Sequence, residues 1–423
     1  MKLTQRDHAY IWHPLTQHQT ARPPVGIVKA TGSVLIDEDG KSYIDGIASW
    51  YTAMFGHCNP YITQAMTKQM QTLDFVMFSG FTHEPAVQLS EKVLAILPAN
   101  QQKVFFNDNG STAVEAAIKM AIQYYHNKNE KRDTLIAFED GFHGDTFGAM
   151  SASGLSSYNG PFEDFLLNVK RIPTPQAHNL NEVLAALKNI LQENSCAAFI
   201  FEPLVQGAAG MKFHSKEGLD ALLAVCKSHD VLCIADEIMT GFGKTGTNFA
   251  VDQLEHKPDI MCLSKALTAG MFPLSITSCT QEIFDGFLSQ EVHKGFFHAH
   301  TFSAHPIGCA AAIASIELLI SPEILKQRAY IAEAHRDFAA RIENHPGVKQ
   351  VRCKGVILAI DLSVEMERYG NLRDDLYQFF MDRGVALRPL GNTVYVLPPY
   401  VIANNELDTI YQAIEAVLAF YNR

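Results

Sequence analysis

The sequence predicts an α/β fold: a large domain with a mostly parallel sheet, and a smaller α+β domain formed by both chain ends. From about residue 60 to residue 310, short apolar runs alternate with amphipathic helical patterns. That alternation is typical of buried parallel strands joined by helical crossovers. The flanking regions carry turns and short alternating segments instead. The length of 423 residues agrees, because it exceeds the usual size of a single domain.

Composition and charge narrow the class of protein. Apolar residues make up 47% of the chain and charged residues 19%, which is ordinary for a globular protein. The net charge of −11 argues against non-specific binding to nucleic acid or anionic membranes. No run reaches the roughly 18 apolar residues of a membrane helix, and the first residues lack an apolar signal core. We therefore expect a cytoplasmic protein with neither nucleic acid nor membrane as a partner.

The cysteines and histidines predict no metal site. The chain has eight cysteines, no pair of which forms C-x-x-C, and several lie within apolar runs such as 231–235. We expect them to be reduced residues in the core of a cytosolic protein. The histidine-rich stretch 293–305 matches no standard zinc spacing.

The chain ends predict the smaller domain. Two short strand patterns, at 33–36 and 42–44, flank a turn at 37–40. After residue 310 come a long helical stretch, strand patterns at 355–361 and 393–397, and a final helix. Neither sheet fragment looks self-sufficient, so we expect the two ends to pack together. The predicted boundaries are 1–58 for the N-terminal part of the small domain, 59–310 for the large domain and 311–423 for the C-terminal part.

The central region predicts the large sheet. From Val114 to Tyr125 apolar residues recur with a helical period, which predicts an amphipathic helix. Short apolar runs bounded by polar turns predict buried strands. These strands cover residues 104–106, 135–138, 197–201, 231–235 and 260–263.

One glycine-rich segment offers two nucleotide-binding interpretations. Gly241–Gly246 matches G-x-G-x-x-G after a predicted strand, as in a dinucleotide-binding fold. Such a fold needs a helix to follow, and no clear helical period appears before Pro258. A P-loop would need glycine where the chain has Ile238. A nicotinamide-dependent oxidoreductase is the function that the first interpretation would support.

The segment 107–115 combines a glycine, hydroxyls and a predicted helix start. Gly110 permits a tight turn that leaves free N–H groups at the positive end of the helix, and Ser111 and Thr112 add hydroxyls. These features suit a phosphate. The spacing of Thr112 and Glu115 equally fits a capping box, which is a purely structural role. The residues alone leave both interpretations open.

Two acids and a lysine follow predicted strands. Asp236 and Glu202 each lie at the carboxyl end of a strand, where ligands of open α/β sheets bind. Lys265 follows another buried strand. A lysine there is either a nucleophile with a lowered pKa or a surface residue whose stem packs on apolar groups. Together the three positions indicate a candidate site at this edge of the sheet.

The order of these motifs resembles the class III aminotransferases, which depend on pyridoxal 5′-phosphate and have fold type I. The resemblance covers nearly the whole chain and is strongest over 235–246, followed by Lys265 at the expected distance. It includes the segment 141–151 and the glycines that mimic a dinucleotide motif. It implies a large cofactor-binding domain and a homodimer with shared active sites. A catalytically silent cofactor-binding or structural protein is an alternative of another class.

The resemblance implies a role for each candidate site residue. Lys265 would hold the cofactor covalently and carry protons, and Asp236 would pair with the pyridine nitrogen. Thr301, with His300 beside it, would reach the phosphate of the neighbouring subunit. Arg388 would hold a substrate carboxylate. The implied cofactor-binding residues are Gly110, Ser111, Thr112, Phe142, His143, Glu202, Asp236, Ile238, Lys265, His300 and Thr301. The implied substrate-binding residues are Leu15, Trp50, Phe142, Asp145, Lys265, Ala299 and Arg388.

Within this family, the segments 11–14 and 49–50 are most similar to those of enzymes that aminate 8-amino-7-oxononanoate in biotin synthesis. That similarity implies S-adenosyl-L-methionine as the amino donor. Lysine as donor, or a broad ω-amine or diamine aminotransferase, are the alternatives. Leu15 and Phe142 stand where the family usually has tyrosine, and Lys244 where it has arginine. The two lost hydroxyls bear on the choice of donor, because a buried hydrogen bond to substrate discriminates strongly.

Overall fold

The computed structural model describes residues 2–154, 159–364 and 371–421. Its strands are β1 (Ile27–Thr31), β2 (Val34–Asp37), β3 (Ser42–Asp45), β4 (Gln101–Asn107), β5 (Thr134–Phe138), β6 (Val169–Ile172), β7 (Cys196–Phe201), β8 (Val205–Gln206), β9 (Lys212–Phe213), β10 (Leu232–Asp236), β11 (Ile260–Leu263), β12 (Ser275–Thr280), β13 (Val348–Lys354), β14 (Ile357–Leu362), β15 (Val385–Ala386) and β16 (Thr393–Val396).

The helices are α1 (Leu3–Tyr10), α2 (Ala48–Tyr51, a single turn), α3 (Pro60–Met70), α4 (Glu84–Ile96), α5 (Gly110–Asn127), α6 (Phe147–Ala152), α7 (Leu180–Glu193), α8 (Lys216–Ser228), α9 (Gln281–Asp285), α10 (Pro306–Leu319), α11 (Pro322–Ile342), α12 (Asn371–Asp382) and α13 (Asn404–Tyr421). Short 3₁₀ helices cover Gly160–Phe165, Ala250–Gln253, Lys265–Thr268 and Val292–Lys294.

The largest sheet has the strand order β4-β12-β11-β10-β7-β5-β6. The strands from β11 to β6 run parallel to one another, whereas β12 is antiparallel to both β11 and β4. The predicted central strands are confirmed as β4, β5, β7, β10 and β11. The predicted α/β fold with a mostly parallel sheet is therefore confirmed.

Both faces of this sheet are buried. Along β10, Leu232 and Ile234 pack in the core that contains α5, whereas Cys233 and Ala235 pack in the core on the other side. A strand covered on both faces needs apolar residues at every position. This explains why the sequence shows continuous apolar runs rather than alternation. The predicted amphipathic helix is confirmed as α5, which extends beyond both ends of the predicted segment.

The two chain ends meet in a four-stranded sheet with the order β1-β2-β3-β15. The predicted hairpin is confirmed as β2 and β3, which pair antiparallel around the turn. On the other edge of β3, Ile44 pairs in parallel register with Val385 of β15. A separate three-stranded sheet, β13-β14-β16, belongs to the C-terminal region. The division at residues 58 and 310 stays a prediction.

Among the helices of the described ranges, no single one is long and apolar enough to cross a membrane. Only α10 and α11 taken together have that length and composition, and they are bent by 66° relative to each other. All eight cysteines are free, and six are buried as expected. Cys58 differs from the expectation because it is exposed, and Cys353 is partly buried.

Candidate active site

Lys265 lies two residues beyond the end of β11, in a left-handed conformation with φ of 49°. Its Nζ atom lies 5.3 Å from the centre of the Tyr51 ring. Within the described part of the chain, Nζ has no hydrogen-bond acceptor or ion-pair partner. Burial lowers the pKa of this amine, while the carboxylates of Asp236 and Glu202 act in the opposite direction. An amine with these properties is suited to act as a nucleophile.

Asp236 is the last residue of β10 and is almost fully buried. Its Oδ2 atom lies 2.7 Å from His143 Nδ1, and its Oδ1 atom accepts a hydrogen bond of 3.1 Å from the Ile238 N–H. Because an ionised carboxylate only accepts, Nδ1 of His143 carries the proton. The other ring nitrogen, Nε2, is buried without a partner among the described residues. The pair therefore presents a fixed carboxylate at the strand end.

Glu202 follows β7 directly and is buried beside this pair. Its two oxygens accept hydrogen bonds from the backbone N–H groups of Phe142, at 3.0 Å, and Gly207, at 2.9 Å. Burial raises the pKa of the Glu202 carboxyl to about 7, with the His143 ring opposing that shift. The Phe142 bond fixes the backbone of the loop that carries Phe142 and His143, so Glu202 positions both residues.

Thr112 and Glu115 do not form a capping box at the start of α5, so that interpretation of their spacing was wrong. Asn109 is the N-cap, and its side chain accepts from the Thr112 N–H at 3.1 Å. The Thr112 hydroxyl closes the box by accepting from the Asn109 N–H at 3.0 Å. The N–H groups of Gly110 and Ser111 have no acceptor in the described chain. A Cβ at position 110 would lie 3.1 Å from Ile238, so glycine keeps the backbone close to that side chain.

Glu115 has a different task, which sequence reasoning missed. One of its oxygens accepts from the Thr146 hydroxyl at 2.5 Å and from the Gly148 and Ala149 N–H groups at 2.7 and 3.1 Å. Glu115 thus caps α6, whose own N-cap residue Thr146 makes no capping bond. The only sequence signal is the hydroxyl and glycine at 146–148, which is weak without knowledge of the partner.

The hydrogen-bond directions in this cluster are determined by Glu115. Since the carboxylate only accepts, the Thr146 hydroxyl donates to it, and Thr146 Oγ1 then accepts from the Ser111 hydroxyl at 2.7 Å. The Thr146 N–H donates to Ser111 Oγ at 3.1 Å. Glu115 therefore orients the hydroxyl that stands beside the free N–H groups of α5.

The glycine-rich segment Gly241–Gly246 is a turn and no dinucleotide site, since no α-helix begins after it before β11. Gly243 and Gly246 have φ of 97° and 108°, which explains the glycines. The segment holds Lys244, fully buried, whose Nζ donates to the Gly241 carbonyl at 2.9 Å. Burial lowers the pKa of this amine well below its ordinary value.

The substrate side of the site is built on unusual backbone. All four residues from Ala48 to Tyr51 have φ between 44° and 72°. Left-handed conformations cost roughly 1–2 kcal/mol for each residue that has a Cβ, and they concentrate at functional sites. Trp50 is half-exposed, and the guanidinium carbon of Arg388 lies 5.1 Å from the centre of its ring. Tyr51 is buried and faces Lys265 instead.

Other predicted residues are not in contact with these groups. Leu15, in a turn with φ of 51°, is exposed, as are Asp145, Ala299 and Thr301. His300 is partly buried, with Nε2 at 3.1 Å from His298 Nε2 and Nδ1 at 3.9 Å from Asp108 Oδ2. His300 therefore connects the segment 298–301 to the loop before α5.

Comparison with known proteins assigns the family. The model of the family Aminotransferase class-III matches residues 16–418, and the chain belongs to this family. It is accordingly an aminotransferase that depends on pyridoxal 5′-phosphate, as the resemblance implied.

Individual relatives are similar over their whole length. The adenosylmethionine-8-amino-7-oxononanoate aminotransferase of Synechococcus elongatus is 43% identical, with 97% of this chain and 99% of the relative covered. The crystal structure of the enzyme of that name from Methanocaldococcus jannaschii superposes with a TM-score of 0.93 at 32% identity, covering 98% of each chain. An amine transaminase from an uncultivated Pseudomonas species, solved in its PLP-bound form, gives a TM-score of 0.91 at 28% identity and covers 97% and 98%.

The residues present fit the cofactor. A pyridine aldehyde that carries a phosphate needs an amine, an acceptor for its ring N–H and a set of anion-binding donors. The chain offers the unpartnered Nζ of Lys265, the fixed carboxylate of Asp236 and the free N–H groups of Gly110 and Ser111 at the start of an 18-residue helix. These groups come from neighbouring ends of β10, β11 and the β4–α5 loop.

Proposed function

We propose that this protein aminates the 7-keto group of 8-amino-7-oxononanoate to give 7,8-diaminononanoate in biotin biosynthesis, with S-adenosyl-L-methionine as donor, in the cytoplasm. The observation that carries the proposal is Arg388. Its guanidinium is exposed against Trp50 and has no carboxylate partner within the described ranges. Its planar fork suits the carboxylate of a substrate. The names of the full-length relatives support the choice of substrate.

The contacts of the cofactor-side residues support a role for each of them. Lys265 would hold the cofactor through its amine, Asp236 would pair with the ring nitrogen, and the start of α5 would hold the phosphate. When bound, pyridoxal phosphate supplies an electron sink for negative charge on a substrate carbon. Because its pKa is lowered, more of the Lys265 amine is unprotonated near neutral pH, and Nζ can accept a proton from that carbon and return it.

The working unit in this proposal is a homodimer with shared active sites. An apolar aromatic surface supports it: Phe297 is 72% exposed and Phe302 54% exposed, and the Phe302 ring lies 5.5 Å from that of Phe75. Exposed apolar patches of this kind mark interfaces. The neighbouring residues Ala299, His300 and Thr301 would then contribute to the partner's site. Leu15, equally exposed, would do the same or line the pocket mouth.

The proposal is tested by supplying the purified enzyme with the oxononanoate and one donor at a time. We expect 7,8-diaminononanoate, measured by mass spectrometry, with adenosylmethionine and none with Lys265→Ala. If product forms with lysine and not with adenosylmethionine, lysine is the donor. The lysine assay is necessary because Leu15 and Phe142 lack the hydroxyl that the family usually has at these positions. If neither donor gives 7,8-diaminononanoate, but simple amines and other keto acids are turned over, the protein is an amine aminotransferase like the one from Pseudomonas.

A further inference from the structure

The left-handed turn Ala48–Tyr51 directs two consecutive aromatic rings at two basic side chains of the site. The guanidinium carbon of Arg388 lies 5.1 Å from the centre of the Trp50 ring, and Nζ of Lys265 lies 5.3 Å from the centre of the Tyr51 ring. Consecutive side chains of a strand point to opposite faces, and those of an α-helix lie about 100° apart. The unusual backbone therefore determines where both rings lie.

One buried carboxylate accepts hydrogen bonds from three residues in and around this turn. Asp45 is 1% exposed, and its Oδ2 atom accepts from the Ser49 hydroxyl and from His57 Nε2, each at 2.8 Å. Its Oδ1 atom accepts from the Ile47 N–H at 3.3 Å. The carboxylate thus binds residues before, inside and after the turn. Ser49 and His57 also approach each other, at 3.4 Å.

The segment that leads into the turn is hydrogen-bonded to the segment that leads to Arg388. The Gly46 N–H donates to the carbonyl of Ala386 at 3.1 Å, two residues before Arg388. A Cβ on Gly46 would lie 2.5 Å from the Leu387 side chain, so the glycine leaves room for that side chain to pack on the segment. Tyr51 is fixed at its far end, where its hydroxyl donates to Tyr395 at 3.1 Å. Both rings, and the backbone that leads to Arg388, are therefore connected to one anchored segment.

We propose that Asp45, Ser49 and His57 form a positioning clamp that holds Trp50 against Arg388 and Tyr51 against Lys265, and thereby sets how tightly the keto substrate is bound. Within the described chain, none of the three clamp residues hydrogen-bonds to Lys265, Asp236, Glu202 or Arg388, so they act through the two rings. The kinetic part of this inference rests on the proposed function; the placement of Trp50 does not.

The chain offers a direct reporter, because it has two tryptophans and Trp12 is 89% exposed on the N-terminal segment. In a Trp12→Phe background all tryptophan fluorescence comes from Trp50. Asp45→Asn keeps one acceptor oxygen and replaces the other by an amide donor, so at least one of the Ser49 hydroxyl, the His57 N–H and the Ile47 N–H loses its acceptor. In the holoenzyme we expect stronger acrylamide quenching of Trp50, lower fluorescence anisotropy, and a KM for the oxononanoate raised about tenfold or more.

Asp37→Asn is the matched control. Asp37 is also a buried acid of the same sheet, and it accepts from the Tyr43 hydroxyl at 2.8 Å and the Lys41 N–H at 2.8 Å, away from the turn. It should lower thermal stability and leave Trp50 quenching and KM unchanged. If Asp45→Asn fails to fold, Ser49→Ala removes one clamp bond at an exposed residue and should shift quenching and KM in the same direction.

Wild-type quenching and KM in both Asp45→Asn and Ser49→Ala would overturn the clamp. So would an equal change of quenching in Asp37→Asn, because the effect would then report general loosening. If the unaltered enzyme never aminates the oxononanoate, the proposed function fails on its own. The quenching measurement then still decides whether the clamp holds Trp50.

Discussion

The two sides of the active site are built in different ways. The cofactor side uses the ends of regular elements: β7, β10, β11 and the first turn of α5 place Glu202, Asp236, Lys265 and the free N–H groups. The substrate side uses irregular segments from both chain ends, with four left-handed residues at Ala48–Tyr51 and an arginine in the loop after β15. Reaction chemistry needs fixed geometry, whereas loops accept the changes that alter specificity.

The largest expected effect tests the cofactor side. Lys265→Ala should lower kcat by about 10⁴-fold or more, because no other described amine stands beside Asp236 and Glu202 with an unpartnered Nζ. Turnover assays check this, and an unchanged melting temperature of the variant shows that it is folded. Lys170→Ala, at an exposed position of β6, is the control and should leave both turnover and melting temperature unchanged. Appreciable turnover by Lys265→Ala would place the reacting amine elsewhere.

The buried acids should give the cofactor side a pH dependence. Because the pKa of Glu202 is raised from 4.5 to about 7, the folded form binds more protons than the unfolded form between these values. The free energy of unfolding should therefore fall as pH rises through that window, by about 3 kcal/mol from this group. Glu202→Gln should lose less stability from pH 4.5 to 7 in urea titrations, whereas the exposed Glu91→Gln should follow the parent.

Arg388→Lys tests the substrate side. It keeps the charge and loses the planar fork, so we expect KM for the oxononanoate to rise by about 30-fold with little change in the spectrum of the bound cofactor. Steady-state kinetics and absorbance spectra measure both. A changed spectrum with unchanged KM would mean that the two sides are not separate.

Glu115→Gln should have the smallest effect. The glutamine amide keeps one acceptor oxygen for the three donors at the start of α6 but loses the negative charge that strengthens their bonds, so the Thr146 and Ser111 hydroxyls are held less firmly. We expect the Kd for pyridoxal phosphate to rise about tenfold in equilibrium dialysis. Glu193→Gln, exposed at the end of α7, is the control. Unchanged cofactor affinity would leave Glu115 with only its capping role.

The same contrast explains what the sequence could predict. Buried strands give continuous apolar runs in the sequence. The strands β4, β5, β7, β10 and β11, and the acids at the ends of β7 and β10, could therefore be predicted. The strand β12, with Ser275, Thr277 and Ser278, has few apolar side chains and left no such signal. The left-handed turn contains no glycine, and the bonds from Glu115 to α6 and from Asp45 to His57 join distant residues. Local patterns carry no information about such partners.

The contact between the glycine-rich turn and Gly355 has a mechanical consequence. A Cβ at position 355 would lie 2.4 Å from the Gly246 nitrogen and the Lys244 carbonyl, and the next residue, Val356, donates its N–H to that carbonyl at 3.0 Å. Two backbones therefore touch with no side chain to absorb a displacement. The glycine-rich turn after Asp236 and the chain that enters β14 are therefore fixed relative to each other by backbone contact alone.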